Sequence, residues 1–167
     1  MKTRDCALLV CLAMGLAILA ISATGWAADK ELQNEQIAVK FQREVERGGY
    51  KVITTQELKA WIDQKKAMVI VDTMPPDNFR KQHIPSAVNF EIQRHPELTE
   101  MSDKMKRDFE KLLGPDKERT IVFYCGFTDC ERSHNAGMWA IKLGYKNVYR
   151  QPGGITGWLE AGYPVEK

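Results

Sequence analysis

Apolar and polar positions alternate in blocks whose periods switch along the chain. After an apolar N-terminal run from Ala7 to about Ala23, residues 29 to 47 carry Ile37, Ala38, Phe41 and Val45 as a narrow stripe among charged positions. Gly48-Gly49 ends that stripe, which predicts a helix packed on a domain edge. Leu58, Trp61 and Ile62 then form the inward face of a second helix, running to about Gln64. Thr54 or Thr55 caps it, with Glu57 at capping-box spacing from Thr54. Met68-Val69-Ile70-Val71-Asp72 is a continuous apolar run, the pattern of a strand buried on both faces. Pro75-Pro76 breaks the chain, and Ala87-Val88-Asn89-Phe90 is a further short strand. Leu98, Met101, Met105, Phe109 and Leu112 recur at three- and four-residue steps, which predicts a helix over 96–113 stopped by Gly114-Pro115.

The C-terminal third repeats the alternation. A strand at 120–124 leads into a short polar loop. A helix to about Leu143 follows, with Ala136, Trp139, Ala140 and Leu143 on one face. A strand over Asn147 to Arg150 is next, and Gly153-Gly154 opens a short helix from about Ile155 to Glu160. Strands alternating with helices imply an α/β fold, a single domain with a mostly parallel central sheet flanked by helices and an extra N-terminal helix. Trp139 and Trp158 fall on apolar helix faces and read as core.

The N-terminus sets the compartment. Lys2 and Arg4 precede the apolar run, and small residues lead to Gly25-Trp26-Ala27 before the charged segment from Asp29. This is the order of a secretory signal peptide cut after Ala27, and it resembles a bacterial signal, so the periplasm is expected. The alternative is an uncleaved membrane anchor, because the apolar run is nearly long enough to span a bilayer. Three segments are therefore expected: a signal over 1–27, a helical extension over 28–49 and one domain over 50–167. The exported part, about 140 residues, is large enough for a proper core. Its charge excludes little. The whole chain is +2, losing Lys2, Arg4 and Asp5 leaves +1, and no basic block points to nucleic acid.

Export also changes the meaning of the cysteines. Cys6 and Cys11 lie in the signal, so Cys125 and Cys130, five positions apart, remain. A structural disulfide is the ordinary reading in an oxidising compartment. A bridge closing so short a loop constrains the unfolded chain little, however. Cys125 ends an apolar strand and faces the start of a helix, where backbone N–H groups and the helix dipole favour a thiolate. Arg132 adds a fixed positive charge. These residues describe a sulfur nucleophile that handles an anionic substrate.

Several further residues carry weaker signals. Thr128 and Glu131 also fit a capping box, which would place Cys130 in the first helical turn as a second stabilised thiolate, with Asp129 and Glu131 opposing and Arg132 offsetting. Cys130 is then a second candidate nucleophile, a resolving or protective thiol beside Cys125; the alternative is an idle loop residue. Cys125, Cys130 and His134 lack a fourth ligand, so no metal is expected, and His134 reads as a hydrogen-bond partner closing the loop. His83 reads as fixing a turn, and Asp72 as lining a pocket or capping. Phe127 reads as rimming the pocket or docking a partner.

Three groups of residues then resemble the rhodanese (sulfurtransferase) family over about Val52 to Val165. The first is Val69-Ile70-Val71-Asp72 with Phe79 and His83-Ile84-Pro85-Ser86-Ala87. The second is Val122-Phe123-Tyr124-Cys125 with Arg132-Ser133. The third runs from Leu143-Gly144-Tyr145 through Asn147-Val148-Tyr149, Gly153-Gly154-Ile155 and Trp158 to Ala161-Gly162-Tyr163-Pro164-Val165.

The resemblance implies that Cys125 takes sulfane sulfur from a small anionic donor, of the thiosulfate or polysulfide class, as a persulfide. A thiol or cyanide-like acceptor, a protein among the candidates, then removes it. The substrate loop is Gly126, Phe127, Thr128, Asp129, Glu131, Ser133 and His134. Its amides from Gly126 onward cradle the anion, and Arg132 binds the donor's sulfonate or holds the loop. No cofactor is implied, no nucleic acid partner, and a membrane only if the N-terminal segment stays attached.

Two departures stand out. Six residues separate Cys125 from Arg132, roughly two more than the family pattern, which implies a wider pocket. Met74 stands where the family often has an arginine. The competing readings are a thiol-redox protein cycling a Cys125–Cys130 disulfide and a non-catalytic sulfur-carrier or binding module of the same fold.

Overall fold

A computed structural model of the chain describes residues 30–167; the signal-peptide reading lies outside these residues. The chain divides into two units at Lys40 and Phe41. Of the first, residues 30–40 are described, and they are helical. That helix, α1, covers 30–48. No helix among the described residues is long and apolar enough to cross a membrane.

The second unit is an α/β domain. Its strands are β1 (Lys51–Val52), β2 (Val69–Asp72), β3 (Ala87–Asn89), β4 (Thr120–Tyr124) and β5 (Asn147–Arg150). Its further helices are α2 (Thr55–Asp63), α3 (Pro76–Lys81), α4 (Asp103–Leu113), α5 (Glu131–Lys142) and α6 (Gly154–Glu160). The five strands form one sheet in the order β1-β5-β4-β2-β3, with every pairing parallel. Asp72 pairs with Tyr124, and Phe123 with Arg150, so the ends of β2, β4 and β5 meet on one edge of the sheet. Cys125 follows β4 at that edge. In open parallel sheets this is where ligands bind.

Side chains alternate across the sheet and give it two cores. Val71, Ile121, Phe123 and Val148 face Phe109, Leu113, Ala136 and Trp139. Ile70, Val122 and Tyr124 face Leu58, Ile155 and Trp158, and both loop cysteines belong to this second layer. The capping box at Thr54 and Glu57 forms as the spacing predicts: the Glu57 amide donates to Thr54 Oγ1 at 3.2 Å and the Thr54 amide to Glu57 Oε2 at 2.8 Å.

Three local expectations are corrected. The helix expected over 96–113 begins at Asp103, with the Ser102 side chain accepting from the Met105 amide. The residues before it are held by α5 instead. Asn135 accepts from the Leu98 amide at 2.9 Å and donates to the His95 carbonyl at 2.8 Å, and Trp139 donates to the Leu98 carbonyl at 2.8 Å. Pro75-Pro76 does not simply break the chain. Pro76 occupies the first position of α3, where its missing N–H costs nothing. Finally, α5 starts at Glu131, so Thr128 is not its cap and Cys130 is not in its first turn. Cys130 itself is the N-cap residue, with no side-chain capping bond. The Thr128 carbonyl is engaged elsewhere, by Arg150.

Candidate active site

Cys125 and Cys130 are joined by a disulfide, with Cα atoms 6.3 Å apart, within the usual range for such a bridge. Both are buried, at 2% and 4% exposure. They line one cavity of about 230 Å³ together with Gly126, Phe127 and Arg132 from the loop, and Met74, Pro75, Asn78 and Arg94 from the facing segment. Phe127 is 47% exposed, at the rim of the cavity. The Nε of Arg132 is buried and has no hydrogen-bond partner. A guanidinium whose donor is held out of water on the same cavity as two sulfurs suits an anionic ligand.

The loop between the sulfurs is held at several points. The Ile155 amide donates to the Cys125 carbonyl at 2.9 Å, and the Thr156 amide to the Gly126 carbonyl at 3.0 Å. The start of α6 must approach closely for this. Gly154 has φ of +61°, and a Cβ there would lie 2.6 Å from the Gly126 carbonyl carbon. Within the loop the Cys130 amide donates to the Phe127 carbonyl at 3.1 Å.

Arg150, fully buried at the end of β5, secures the far side. Its Nη2 donates to the carbonyls of Thr128 at 3.1 Å and Cys130 at 3.0 Å, and its Nε to Ser133 Oγ at 3.0 Å. Its Nη1 pairs with Glu44 of α1 and reaches the Tyr50 hydroxyl at 3.2 Å.

Of the residues singled out in the sequence, Cys125, Gly126, Phe127, Cys130 and Arg132 come together on the cavity. Thr128 and Ser133 face Arg150 instead. Glu131 pairs with Arg94 at 3.3 Å. Asp129 is half-buried and does not line the cavity. His134 is buried behind the loop, its Nδ1 2.9 Å from the Tyr50 hydroxyl; burial pushes that hydroxyl's pKa up.

Asp72 caps rather than lines: its Oδ1 accepts from the Met74 amide at 2.8 Å, and burial raises its pKa. His83 fixes its turn, with Nδ1 2.9 Å from the Phe79 carbonyl and its ring stacked on Phe79. Met74 lines the cavity, where a bound anion would meet a thioether rather than a guanidinium.

Sequence reasoning passed over Arg94, Asn78, Arg150 and Glu44. Arg94 and Asn78 lie outside the cysteine motif, and nothing in their local pattern marks them. Among the described residues no group of three or more His, Cys, Asp or Glu side chains is placed to hold a metal.

The comparisons with known proteins agree with this fold. The description of the Rhodanese-like domain matches residues 54–161, most of the α/β unit. The chain belongs to the rhodanese-like domain family. It is 30% identical over 98 residues to the thiosulfate:glutathione sulfurtransferase of Saccharomyces cerevisiae, covering 57% of this chain and 67% of that protein. It is 29% identical over 112 residues to the thiosulfate sulfurtransferase GlpE of Coxiella burnetii, covering 65% and 87%. Among solved structures, the thiosulfate sulfurtransferase of Pseudomonas aeruginosa superposes with a TM-score of 0.59 at 21% identity, over 78% of this chain and 22% of that one. The polysulfide-sulfur transferase of Wolinella succinogenes gives 0.56 at 18%, over 80% and 88%. These two share the fold. The sequence relatives support rhodanese-type sulfur transfer in general terms.

Proposed function

We propose that this protein is an exported, periplasmic sulfurtransferase whose reduced Cys125 carries sulfane sulfur as a persulfide. The observation that supports this most is the placement of Cys125 on a cavity with Arg132, whose buried Nε lacks a partner. The donor is a small anion of the thiosulfate or polysulfide class. Its charged end meets Arg132, while the Cys125 thiolate attacks the outer sulfur and the remainder leaves as an anion. A thiol or cyanide-like acceptor then removes the sulfur. The periplasmic assignment rests on the residue pattern before Asp29 alone.

In the disulfide form the nucleophile is covalently blocked, so this reading applies to the reduced protein. The test is thiocyanate formation from thiosulfate and cyanide by protein that has been reduced and then freed of reductant. Turnover lost in Cys125→Ser supports the proposal. Turnover retained in that variant, or absent from the wild type with both thiosulfate and polysulfide, refutes it. The redox reading is favoured by one observation, the Cys125–Cys130 bridge itself. The two readings meet in what Cys130 does next.

A further inference from the structure

We infer that the protein has a second activity at this site, reductive release of sulfane sulfur as hydrosulfide, with Cys130 as the internal thiol that expels it and a dithiol as the external reductant. This deepens the sulfurtransferase proposal and rests on a persulfide forming at Cys125.

The disulfide places the Cys130 sulfur directly against the Cys125 sulfur. The loop carrying them is held by bonds that do not involve sulfur. The Ile155 and Thr156 amides hold the carbonyls of Cys125 and Gly126, and Arg150 holds those of Thr128 and Cys130. Reduction therefore leaves the two thiols facing each other across a five-residue step. Both line the same cavity, so an outer sulfur on Cys125 occupies space that Cys130 borders.

The chemistry of Cys130 suits an attacking thiolate. It is the N-cap of the twelve-residue helix α5, where the dipole favours a negative charge. The adjacent carboxylate of Glu131, which opposes that charge, is paired with Arg94 at 3.3 Å. A bridge serving structure alone gains little here, because the loop is short and already fixed from both sides.

The sequence of steps balances. The Cys125 thiolate takes the outer sulfur of thiosulfate, and sulfite leaves. The Cys130 thiolate then attacks Cys125 Sγ. A bond forms between the two Sγ atoms, and the bond from Cys125 Sγ to the outer sulfur breaks. The electron pair leaves with that sulfur, which takes up one of the two protons released by the thiols and departs as hydrosulfide. The sulfane sulfur is reduced by two electrons, and the two cysteines are oxidised to the disulfide. A dithiol restores them by thiol–disulfide exchange and is itself oxidised to a disulfide.

A single-turnover experiment decides it. Reduced, reductant-free protein is mixed with excess thiosulfate, with no cyanide or added thiol; sulfite, sulfide and intact mass are then measured. The expected wild-type result is sulfite and sulfide in equal amounts, near one per protein, with a final mass two hydrogens below the reduced form. Cys130→Ser should release sulfite, keep one added sulfur and yield no sulfide.

A wild type that keeps the added sulfur and yields no sulfide overturns the inference and leaves the sulfurtransferase proposal standing. Sulfide from Cys130→Ser equal to the wild type overturns it as well. No sulfite from either protein removes both. The wild-type arm stands without the variant, so poor folding of Cys130→Ser would not blunt the test.

Discussion

Arg150 donates to the main-chain carbonyl of Cys130 at 3.0 Å, from a side chain fully withdrawn from solvent. The end of β5 thereby holds the main chain of the second cysteine. Because the same guanidinium pairs with Glu44, the end of α1 from Phe41 onward is coupled to the loop through one charged group. The buried pair was not set up for stability alone, since desolvating two ions costs about what their attraction returns. Its consequence is positional: it turns the carbonyls of Thr128 and Cys130 inward and leaves the start of α5 facing the cavity.

Breaking that pair should be costly. Arg150→Met removes the buried guanidinium that pairs with Glu44 and holds the Thr128 and Cys130 carbonyls, and a loss of about 3–5 kcal/mol is expected. Urea unfolding of the reduced protein measures it. A loss below about 1 kcal/mol would show that the pair does not hold the loop in the way described.

Gly154 should not tolerate a side chain. Its φ of +61° and its approach to the Gly126 carbonyl leave no room for a Cβ. Gly154→Ala is expected to lower the melting temperature and reduce sulfur transfer at least tenfold, because the Ile155 and Thr156 amides can no longer reach the loop carbonyls. An unchanged rate would mean that this contact is incidental.

Arg132 should act on substrate affinity. Replacing it by Met removes a charge-assisted bond worth about 1.5–3 kcal/mol, or roughly ten- to hundredfold in kcat/KM for thiosulfate. The unfolding midpoint should move little, because the buried Nε makes no hydrogen bond within the protein. A large stability loss at constant kcat/KM would reassign Arg132 to holding the loop.

Asp72 gives a pH signature. Burial raises its folded pKa above the unfolded value, so the folded state binds the extra proton between the two. Stability is then highest below the unfolded carboxylate range and falls as pH rises through the folded pKa. Asp72→Asn keeps an acceptor for the Met74 amide and should flatten that slope, which urea unfolding at stepped pH detects. An identical slope in the variant would assign the pH dependence elsewhere.

The sheet and the place of Cys125 at its edge were readable because they rest on local signals. Val69 to Asp72 and Thr120 to Tyr124 are apolar runs of strand length, and Cys125 follows one of them directly. Other parts of the fold were not readable in the same way. Two-residue β1 has no period to detect, and the segment before Asp103 carries helical spacing that Asn135 and Trp139 override through main-chain bonds. Arg150 and Glu44 lie 106 positions apart, on a strand and a helix where charged residues ordinarily point to water. Only their meeting in three dimensions makes them part of the site. Likewise, the Thr128 capping signal was real as a sequence pattern, yet the helix begins at Glu131 with Cys130 as its N-cap.

The most direct test of sulfur transfer through Cys125 is peptide mapping of the reduced Cys130→Ser protein after exposure to thiosulfate carrying heavy sulfur in its outer position. Heavy sulfur on the peptide containing Cys125, and none bound when Cys125 is also replaced by serine, is the predicted result. A protein that takes up no heavy sulfur, or takes it up equally without Cys125, would contradict the account.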